Sequence, residues 1–190
     1  KEHPKVVFVL GGPGSGKGTQ CQKLVDDLDF HHISVGQLLR HEVESGGEHA
    51  ALVEEYVKSG QFVPSHLTVG VLRKAIEAST AEVVLVDGFP RALDQIEEYK
   101  KTIEIDCHFV LFLECEKQIV IDRLLERGKT SGRSDDNIET IHKRIDLFHE
   151  ETVPVVETFE KQDKVRRVDV SDGSIDDVFV NVKDIFTNEF

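Results

Sequence analysis

The chain has 190 residues, of which 39% are hydrophobic and 31% are charged. This length and composition indicate one globular domain with a well-buried core, and no apolar stretch is long enough to predict a membrane partner. The formal net charge of −13 repels a nucleic-acid backbone and excludes DNA or RNA as an expected partner.

The first predicted element is a buried strand over residues 6–10, which a glycine-rich loop follows. The loop, residues 11–20, has the sequence GGPGSGKGTQ, and its glycines let the backbone turn amides inward around a polyphosphate. A helix predicted over residues 19–28 adds the partial positive charge of its N-terminus. We expect Lys17 to reach the β and γ phosphates of a bound nucleotide. In the strict phosphate-loop pattern, a Ser or Thr hydroxyl follows the lysine directly. Here Gly18 follows Lys17, and the hydroxyl of Thr19 comes one place later.

Four further strands are predicted over residues 30–35, 83–87, 108–114 and 165–170. Helical patterns separate them, and this alternation favours an α/β fold of three layers, with a five-stranded parallel sheet between helices. Ser34 and Gln37 form a predicted capping box at one helix start. Acids are expected in the first turns of two later helices, from Asp135 and Asp136 with Glu139 and from Ser174 with Asp177.

Two segments interrupt the strand and helix alternation. Residues 36–82 form a long crossover with glycine and proline breaks, which predicts several small helices in a subdomain. Residues 128–137, GKTSGRSDDN, form a polar turn between two helical patterns and could move as a flap.

Asp87 ends a wholly apolar strand and is followed at once by Gly88. In an open α/β sheet this is the carboxyl edge, where ligands bind. An acid at this edge commonly orients magnesium or its waters, although a capping or salt-bridging role is the alternative.

Arginines accompany these breaks in a way that suits phosphoryl transfer. Their guanidinium groups stay charged and hold phosphate with two hydrogen bonds, as a transition state with charge spread over oxygens requires. Six of them flank glycine breaks or lie in helical patterns: Arg40, Arg91, Arg123, Arg127, Arg133 and Arg144. Any one of them alone would be interpreted as a solvated surface residue.

The three cysteines have neither an even count nor a metal-site spacing. We therefore expect reduced thiols, two of them packed in the core, and a cytoplasmic location. A targeting segment before Lys1 is left open, since the chain begins without a methionine.

The motifs taken together resemble those of nucleoside monophosphate kinases. GGPGSGKGTQ, HISVGQLLR, GQFVP, DGFPR, RLLERG, SGRSDDN and a KR pair on the next helix run through nearly the whole chain. The resemblance implies transfer of the γ phosphate of MgATP to a nucleoside monophosphate by a monomer. It also implies a core (residues 1–33, 64–127 and 138–190), a monophosphate-binding insertion (34–63) and a short lid (128–137) without a structural metal.

The resemblance assigns roles to matching residues. The donor would be held by Lys17, by the loop Gly14, Ser15, Gly16, Gly18 and Thr19, and by Arg123 stacked on its base. Arg127, Arg133 and Arg144 would surround the transferring group, Asp135 and Asp136 would orient the lid arginines, and Asp87 would bind Mg²⁺ through water. The acceptor site would comprise Ser34, Gly36, Arg40, Gly60, Val63, Gly88, Arg91, Gln95, Arg133 and Arg144.

Two positions bear on the acceptor base. Adenylate kinases resemble this site with Thr where Val35 stands and Gln at position 95, whereas UMP-CMP kinases have Ala and Asn there. The surrounding sequence is more similar to UMP-CMP kinases, so UMP and CMP are favoured and AMP is the alternative. Gln37 replaces the usual acid and still completes the predicted capping box.

Two other classes stay open on the sequence. A non-catalytic nucleotide switch would share the phosphate loop, but the chain lacks an Asn-Lys-x-Asp element for guanine. A kinase of small metabolites would keep the loop but would have no use for the FPR-to-Gln95 element.

Overall fold

The computed structural model describes residues 3–133 and 137–190. The five predicted strands all form, within one or two residues of their expected bounds. They are β1 (Lys5–Gly11), β2 (His31–Ser34), β3 (Val83–Asp87), β4 (Cys107–Glu114) and β5 (Val165–Asp169). The helices are α1 (Lys17–Leu28), α2 (Val35–Glu44), α3 (Ala50–Ser59), α4 (Ser65–Ala78), α5 (Leu93–Thr102), α6 (Lys117–Gly128), α7 (Ile138–Leu147), α8 (Val153–Glu160) and α9 (Ile175–Glu189).

The strands form one parallel sheet in the order β2-β3-β1-β4-β5. This confirms the predicted α/β class with five parallel strands. Strand β1 lies at the centre of the sheet, with β3 and β2 on one side and β4 and β5 on the other. The loop after β1 therefore opens at the point where the strand order changes direction. Such a point at the carboxyl edge is where open α/β sheets bind ligands.

Apolar layers cover both faces of the sheet, because side chains of a buried parallel strand alternate between the faces. On one face the Phe8 ring meets Phe89, Tyr99 and Phe159 edge-on, with centroids 5.7, 5.2 and 6.0 Å away. On the other face, Val7 and Val9 join a second buried cluster with α1 and α9. Strand β1 is thereby fixed from both sides, and its rigid end carries the phosphate-binding loop.

Helix termini follow the predicted signals in part. The Ser34 side chain accepts a hydrogen bond from the Gln37 amide, which gives one half of the predicted box. Ser174 and Asp177 form a full capping box at α9. Glu139 lies in the first turn of α7 as expected, and Asn137 caps that helix by accepting from the Thr140 amide.

Helices α2 and α3 fill the crossover after β2, as predicted for small helices in this segment. A π-helical turn over Phe148–Thr152 joins α7 to α8 and has no counterpart in the sequence-based prediction. Within the two described stretches of the chain, no helix combines the length and the apolar character that crossing a membrane requires.

Candidate active site

The loop between β1 and α1 curls back on itself. Gly14 and Gly16 have φ angles of 76° and 87°, which favour glycine, and the Ser15 amide donates to the Gly12 carbonyl at 3.2 Å. A Cβ atom on Gly14 would lie 2.9 Å from a Leu124 side-chain carbon, so the loop rests directly on α6. This backbone has the conformation that lets successive amides surround a phosphate.

Lys17 is the first residue of α1 and folds over the loop, where its Nζ donates to the Gly12 carbonyl at 3.2 Å. Burial lowers the pKa of this lysine from 10.5 to about 8; Asp87 opposes the shift, and the charges of Arg91 and Arg144 add to it. The lysine therefore lies within the field of two arginines. A bound polyphosphate would favour its charged form by supplying the opposite charge.

Asp87 occupies the last position of β3, where it pairs in register with Val9 of β1 and Ser34 of β2. Its Oδ2 atom lies 3.0 Å from Nε2 of His32. Burial acts to raise the pKa of this carboxyl, but the His32 hydrogen bond and the charges of Lys17, His32 and Arg91 bring it below its usual range. A buried and charged carboxylate thus stands beside the phosphate loop, as the sequence predicted for its position.

A cavity opens next to the loop at the carboxyl edge of the sheet. Five cationic side chains line it: Lys17, Arg40, Arg91, Arg133 and Arg144. None of its described lining residues is acidic, in a protein of net charge −13. The cavity also brings together other residues predicted for the acceptor: Val35, Gly36, Gly60, Val63, Gly88 and Gln95. This concentration of positive charge is suited to phosphate groups.

Two of these arginines pack against glycines that have no side chain to displace them. A Cβ atom on Gly36 would lie 3.1 Å from Nη1 of Arg40, and one on Gly88 would lie 2.8 Å from Nη2 of Arg91. The Arg91 Nε donates to the Gly88 carbonyl at 2.7 Å. The motifs SVGQLLR and DGFPR therefore each supply an arginine together with the space that its guanidinium occupies.

Gln95 closes the buried end of the cavity. Its Oε1 accepts a hydrogen bond from the Arg91 amide at 2.6 Å, which fixes the orientation of the side-chain amide. Gln95 can therefore offer its Nε2 donor to a ligand, together with the second lone pair of Oε1. Val35 is buried and adds an apolar wall.

Sequence reasoning missed several residues of this cavity, among them Thr68, Thr152 and Phe148. Thr68 on α4 is 3% exposed and lines it, and within the described chain its Oγ1 has no hydrogen-bond partner. Thr152 donates to the Arg91 carbonyl at 2.6 Å, and Phe148 forms part of the wall. No local pattern marks these residues, because each reaches the site through tertiary packing of its helix.

Several predicted residues lie outside the cavity. Residues 14–16 form the turn beside it, residues 18 and 19 lie in the first turn of α1, and Ser34 caps α2. Arg123 is exposed on α6, with Nη2 donating to the Val170 carbonyl at 3.0 Å beyond the end of β5. Arg127 lies in the last turn of α6, where its carbonyl accepts from the Ser131 amide. The predicted Asp135 and Asp136 fall outside the described residues.

Comparison with known proteins gives matches over almost the whole chain. A family model described as "Adenylate kinase" matches residues 9–164. The chain is 49% identical to uridylate kinase of Saccharomyces cerevisiae over 183 residues, which cover 94% of this chain and 89% of the relative. It is 45% identical to UMP-CMP kinase of Gallus gallus and 43% identical to UMP-CMP kinase of Homo sapiens, in both cases over 98% of each chain. The matched residues 9–164 include the phosphate loop and every residue that lines the cavity.

Proposed function

This chain belongs to the adenylate kinase family, as its motifs predicted, and we propose that it transfers the γ phosphate of MgATP to UMP or CMP. The products would be ADP and the nucleoside diphosphate. The chain is a phosphotransferase. The observation that carries the proposal is the cavity with five cationic side chains, no acid among its described lining residues, and a largely apolar end closed by Gln95.

The cations suit the reaction because the transferred phosphoryl group spreads its charge over three oxygens. A protein stabilises such a transition state by holding charges in fixed positions before the reaction begins. We assign Arg40 and Arg91 to the acceptor phosphate, and Arg127, Arg133 and Arg144 to the transferring group. Their packing on Gly36 and Gly88 supports the role of the first two, since it restricts the guanidinium groups before substrate arrives.

The donor would bind along the loop, with Lys17 at its β and γ phosphates and the amides of residues 14–19 around them. Arg123, which is exposed on α6, would stack on the adenine. Asp87 fits water-mediated binding of Mg²⁺, because it is charged and because a Cβ on Gly18 would lie 3.9 Å from Oδ2, which leaves room on that side. When bound, the ion supplies charge neutralisation between the phosphates.

The acceptor base would lie against Val35, with Gln95 reading its edge. The Nε2 donor of Gln95 matches an acceptor atom of uracil, cytosine or adenine, so this contact does not exclude AMP by itself. Two relatives named for pyrimidine substrates, at 49% and 45% identity, support UMP and CMP. Pocket size separates such bases by only about 1–3 kcal/mol, and we therefore expect a measurable residual activity with AMP.

The test is kcat/KM for AMP, UMP, CMP and GMP with ATP as donor, measured by coupled ADP release. The proposal expects UMP and CMP to give the highest values. A value for AMP more than about tenfold above both pyrimidines would make this protein an adenylate kinase. ATP turnover with none of the four acceptors, but with a small metabolite, would reject the whole proposal.

The division into a core, an insertion over residues 34–63 and a lid over residues 128–137 is part of the proposal. It is supported by the position of Gly60 and Arg133, which line the cavity from the insertion and the lid. A monomeric state and a cytoplasmic location complete the proposal, and both are predictions from the sequence.

A further inference from the structure

Three side chains of different metal-binding chemistry meet beneath the phosphate loop. Cys21 comes from α1, His32 from β2 and Asp87 from β3, and their ligand atoms all lie within 4.8 Å of one another. Cys21 follows Lys17 by one helical turn, so the two share a face of α1. Among the residues that the structure describes, this is the one group of His, Cys and acidic side chains with such spacing.

The donor set identifies the class of cation. A thiolate, an imidazole and a carboxylate are ligands of Zn²⁺ and similar ions, whereas Mg²⁺ takes oxygen ligands alone. A tetrahedral zinc ion holds its sulfur and nitrogen ligands about 3.5 Å apart. The His32 and Asp87 atoms are already 3.0 Å apart, so the cluster needs only a small side-chain adjustment to surround an ion.

We propose that Cys21, His32 and Asp87 bind a divalent cation of the Zn²⁺ class and that its binding inhibits phosphoryl transfer. A water molecule or a nucleotide phosphate oxygen would complete the coordination. The metal takes the position between Nε2 of His32 and Oδ2 of Asp87 that a proton now occupies. The imidazole then carries its proton on Nδ1, and the Cys21 thiol releases one proton to solvent.

The surroundings allow such an ion to enter. Cys21 is fully buried, but the side chains of His32 and Asp87 keep 14% and 9% of their surface exposed. Gly18 has no side chain to cover the carboxylate. The Lys17 ammonium opposes a cation here, while the carboxylate and thiolate supply two negative charges. The two negative charges outweigh the one positive charge of Lys17, and the thiolate ligand favours a thiophilic ion over Mg²⁺.

Inhibition follows because the ion occupies the Asp87 carboxylate. This part rests on the proposed function, in which Asp87 orients the magnesium of ATP; binding of the ion does not rest on it. The two parts therefore need separate measurements.

Binding is tested on the nucleotide-free protein, under a phosphine reductant, by titration with Co²⁺ as a spectroscopic substitute for Zn²⁺. We expect a thiolate-to-cobalt absorption band that saturates at one equivalent and disappears on addition of Zn²⁺. Cys21→Ser should abolish the band. Cys107→Ser is the matched control, since Cys107 is also buried but lies on β4 away from the cluster, and this variant should keep the band.

His32→Gln provides a second variant in case Cys21→Ser does not fold, which thermal unfolding establishes. Glutamine keeps a donor toward Asp87 but removes the imidazole ligand, so we expect Co²⁺ binding at least about tenfold weaker. Absence of the band in the wild type, or its persistence in Cys21→Ser, would overturn the proposal.

The inhibitory part is measured as ADP release at saturating MgATP with increasing free Zn²⁺. The wild type should lose activity over the range in which Zn²⁺ displaces Co²⁺, and Cys21→Ser should resist at least about tenfold more Zn²⁺. A saturating cobalt band without inhibition by Zn²⁺ would reject the inhibitory role, whereas the proposed metal site would stand. Absence of kinase activity with MgATP when no Zn²⁺ has been added would instead reject the proposed function.

Discussion

At the residue scale, the surroundings of Lys17 in the folded chain disfavour its positive charge. It is half-buried, it lies near two arginines, and its pKa is lowered to about 8. A lysine in such a place is unfavourable for the folded protein alone and favourable only with an anion bound. Its position is therefore understandable from ligand binding rather than from stability.

Lys17→Met should abolish transfer to every acceptor while the fold persists, because loop glycines and not the lysine set the backbone. Removing a charge aimed at the β and γ phosphates should lower kcat/KM by about three or more powers of ten. Steady-state kinetics with UMP and CMP provide the measurement, and circular dichroism controls the fold. Retention of more than about a tenth of the turnover would contradict the assignment.

The same variant should change the pH dependence of stability. The pKa of Lys17 is about 8 in the folded chain against an ordinary 10.5, so between these values the unfolded chain holds the extra proton. Wild-type stability then rises with pH. We expect nucleotide-free Lys17→Met to be more stable at pH 7, on the order of 1 kcal/mol, and the difference to vanish toward pH 10.5. Urea unfolding at pH 7 and pH 10 measures the difference in the free energy of unfolding between Lys17→Met and the wild type. A difference that grows with pH would contradict the prediction.

Thr68→Val should weaken the acceptor site without weakening the fold. The hydroxyl is buried at the cavity wall without a partner in the described chain, so it contributes no hydrogen bond to stability, and an acceptor that rearranges this wall on binding would supply the missing partner. We expect the acceptor KM to rise about three- to tenfold, with the ATP KM unchanged and Tm unchanged or higher. Thr68→Ser should retain the wild-type KM. Thr158→Val is the control, because the Thr158 hydroxyl donates within α8.

At the element scale, the sequence predicted the strands and most helices, because short-range patterns encode them. Each strand is a short run beside a glycine or polar break, and the parallel sheet follows from the alternation with helices. The π-helical turn at Phe148–Thr152 could not be predicted, because it depends on the packing of α7 and α8. Pro154 follows it in the first turn of α8 and has no N–H to donate to the π-helical turn that directly precedes it.

The site divides in the same way. Lys17, Asp87 and Arg91 could be predicted because their chemistry comes with a local motif at the end of a strand. Thr68 and Phe148 could not, since a threonine or phenylalanine on an inward helix face is usually core. The Gln95 orientation likewise depends on its bond to the Arg91 amide, which the sequence does not reveal.

Gly60→Ala tests how α3 meets α7. Gly60 has a φ of 70°, and a Cβ there would lie 3.1 Å from Cγ2 of Thr140. Gly46 is the matched control, with a φ of 65° and no atom within 4 Å of the added Cβ. Both alanine variants should lose about 1 kcal/mol from the left-handed backbone. Only Gly60→Ala should also raise the acceptor KM, and equal KM values in the two variants would contradict a contact that shapes the cavity.

At the scale of the whole molecule, the acceptor cavity is an electropositive region inside an acidic protein. Its cations come from α1, α2, α7, the turn before α5 and the segment 128–137. Cationic residues far apart in sequence therefore converge on one cavity, and bound phosphates would offset their mutual repulsion. Closure of the insertion and lid around two nucleotides is expected from this arrangement, since water must be excluded for transfer to outcompete hydrolysis.

A bisubstrate analogue that joins adenosine to uridine through phosphates should bind far more tightly than ATP or UMP alone. Linking the two ligands avoids the entropic cost of immobilising a second molecule. The linked phosphates also contact the cations of the donor site and of the acceptor site at the same time. Calorimetric titration of the three ligands is the measurement. Arg133→Lys should reduce the advantage of the analogue more than it reduces ATP affinity. Similar affinities for all three ligands would argue against a shared closed state.

The cations that line the cavity also bear on how long each molecule survives. Without nucleotide, the positive charges of Lys17, Arg91 and Arg144 repel one another and destabilise the folded site. Local opening of the site relieves this repulsion. Bound nucleotide stabilises the folded form by mass action, so fewer molecules expose cleavable backbone at any time. We therefore expect proteolytic turnover to quicken as nucleotide pools fall, which would make the abundance of this protein follow the supply of its own substrates.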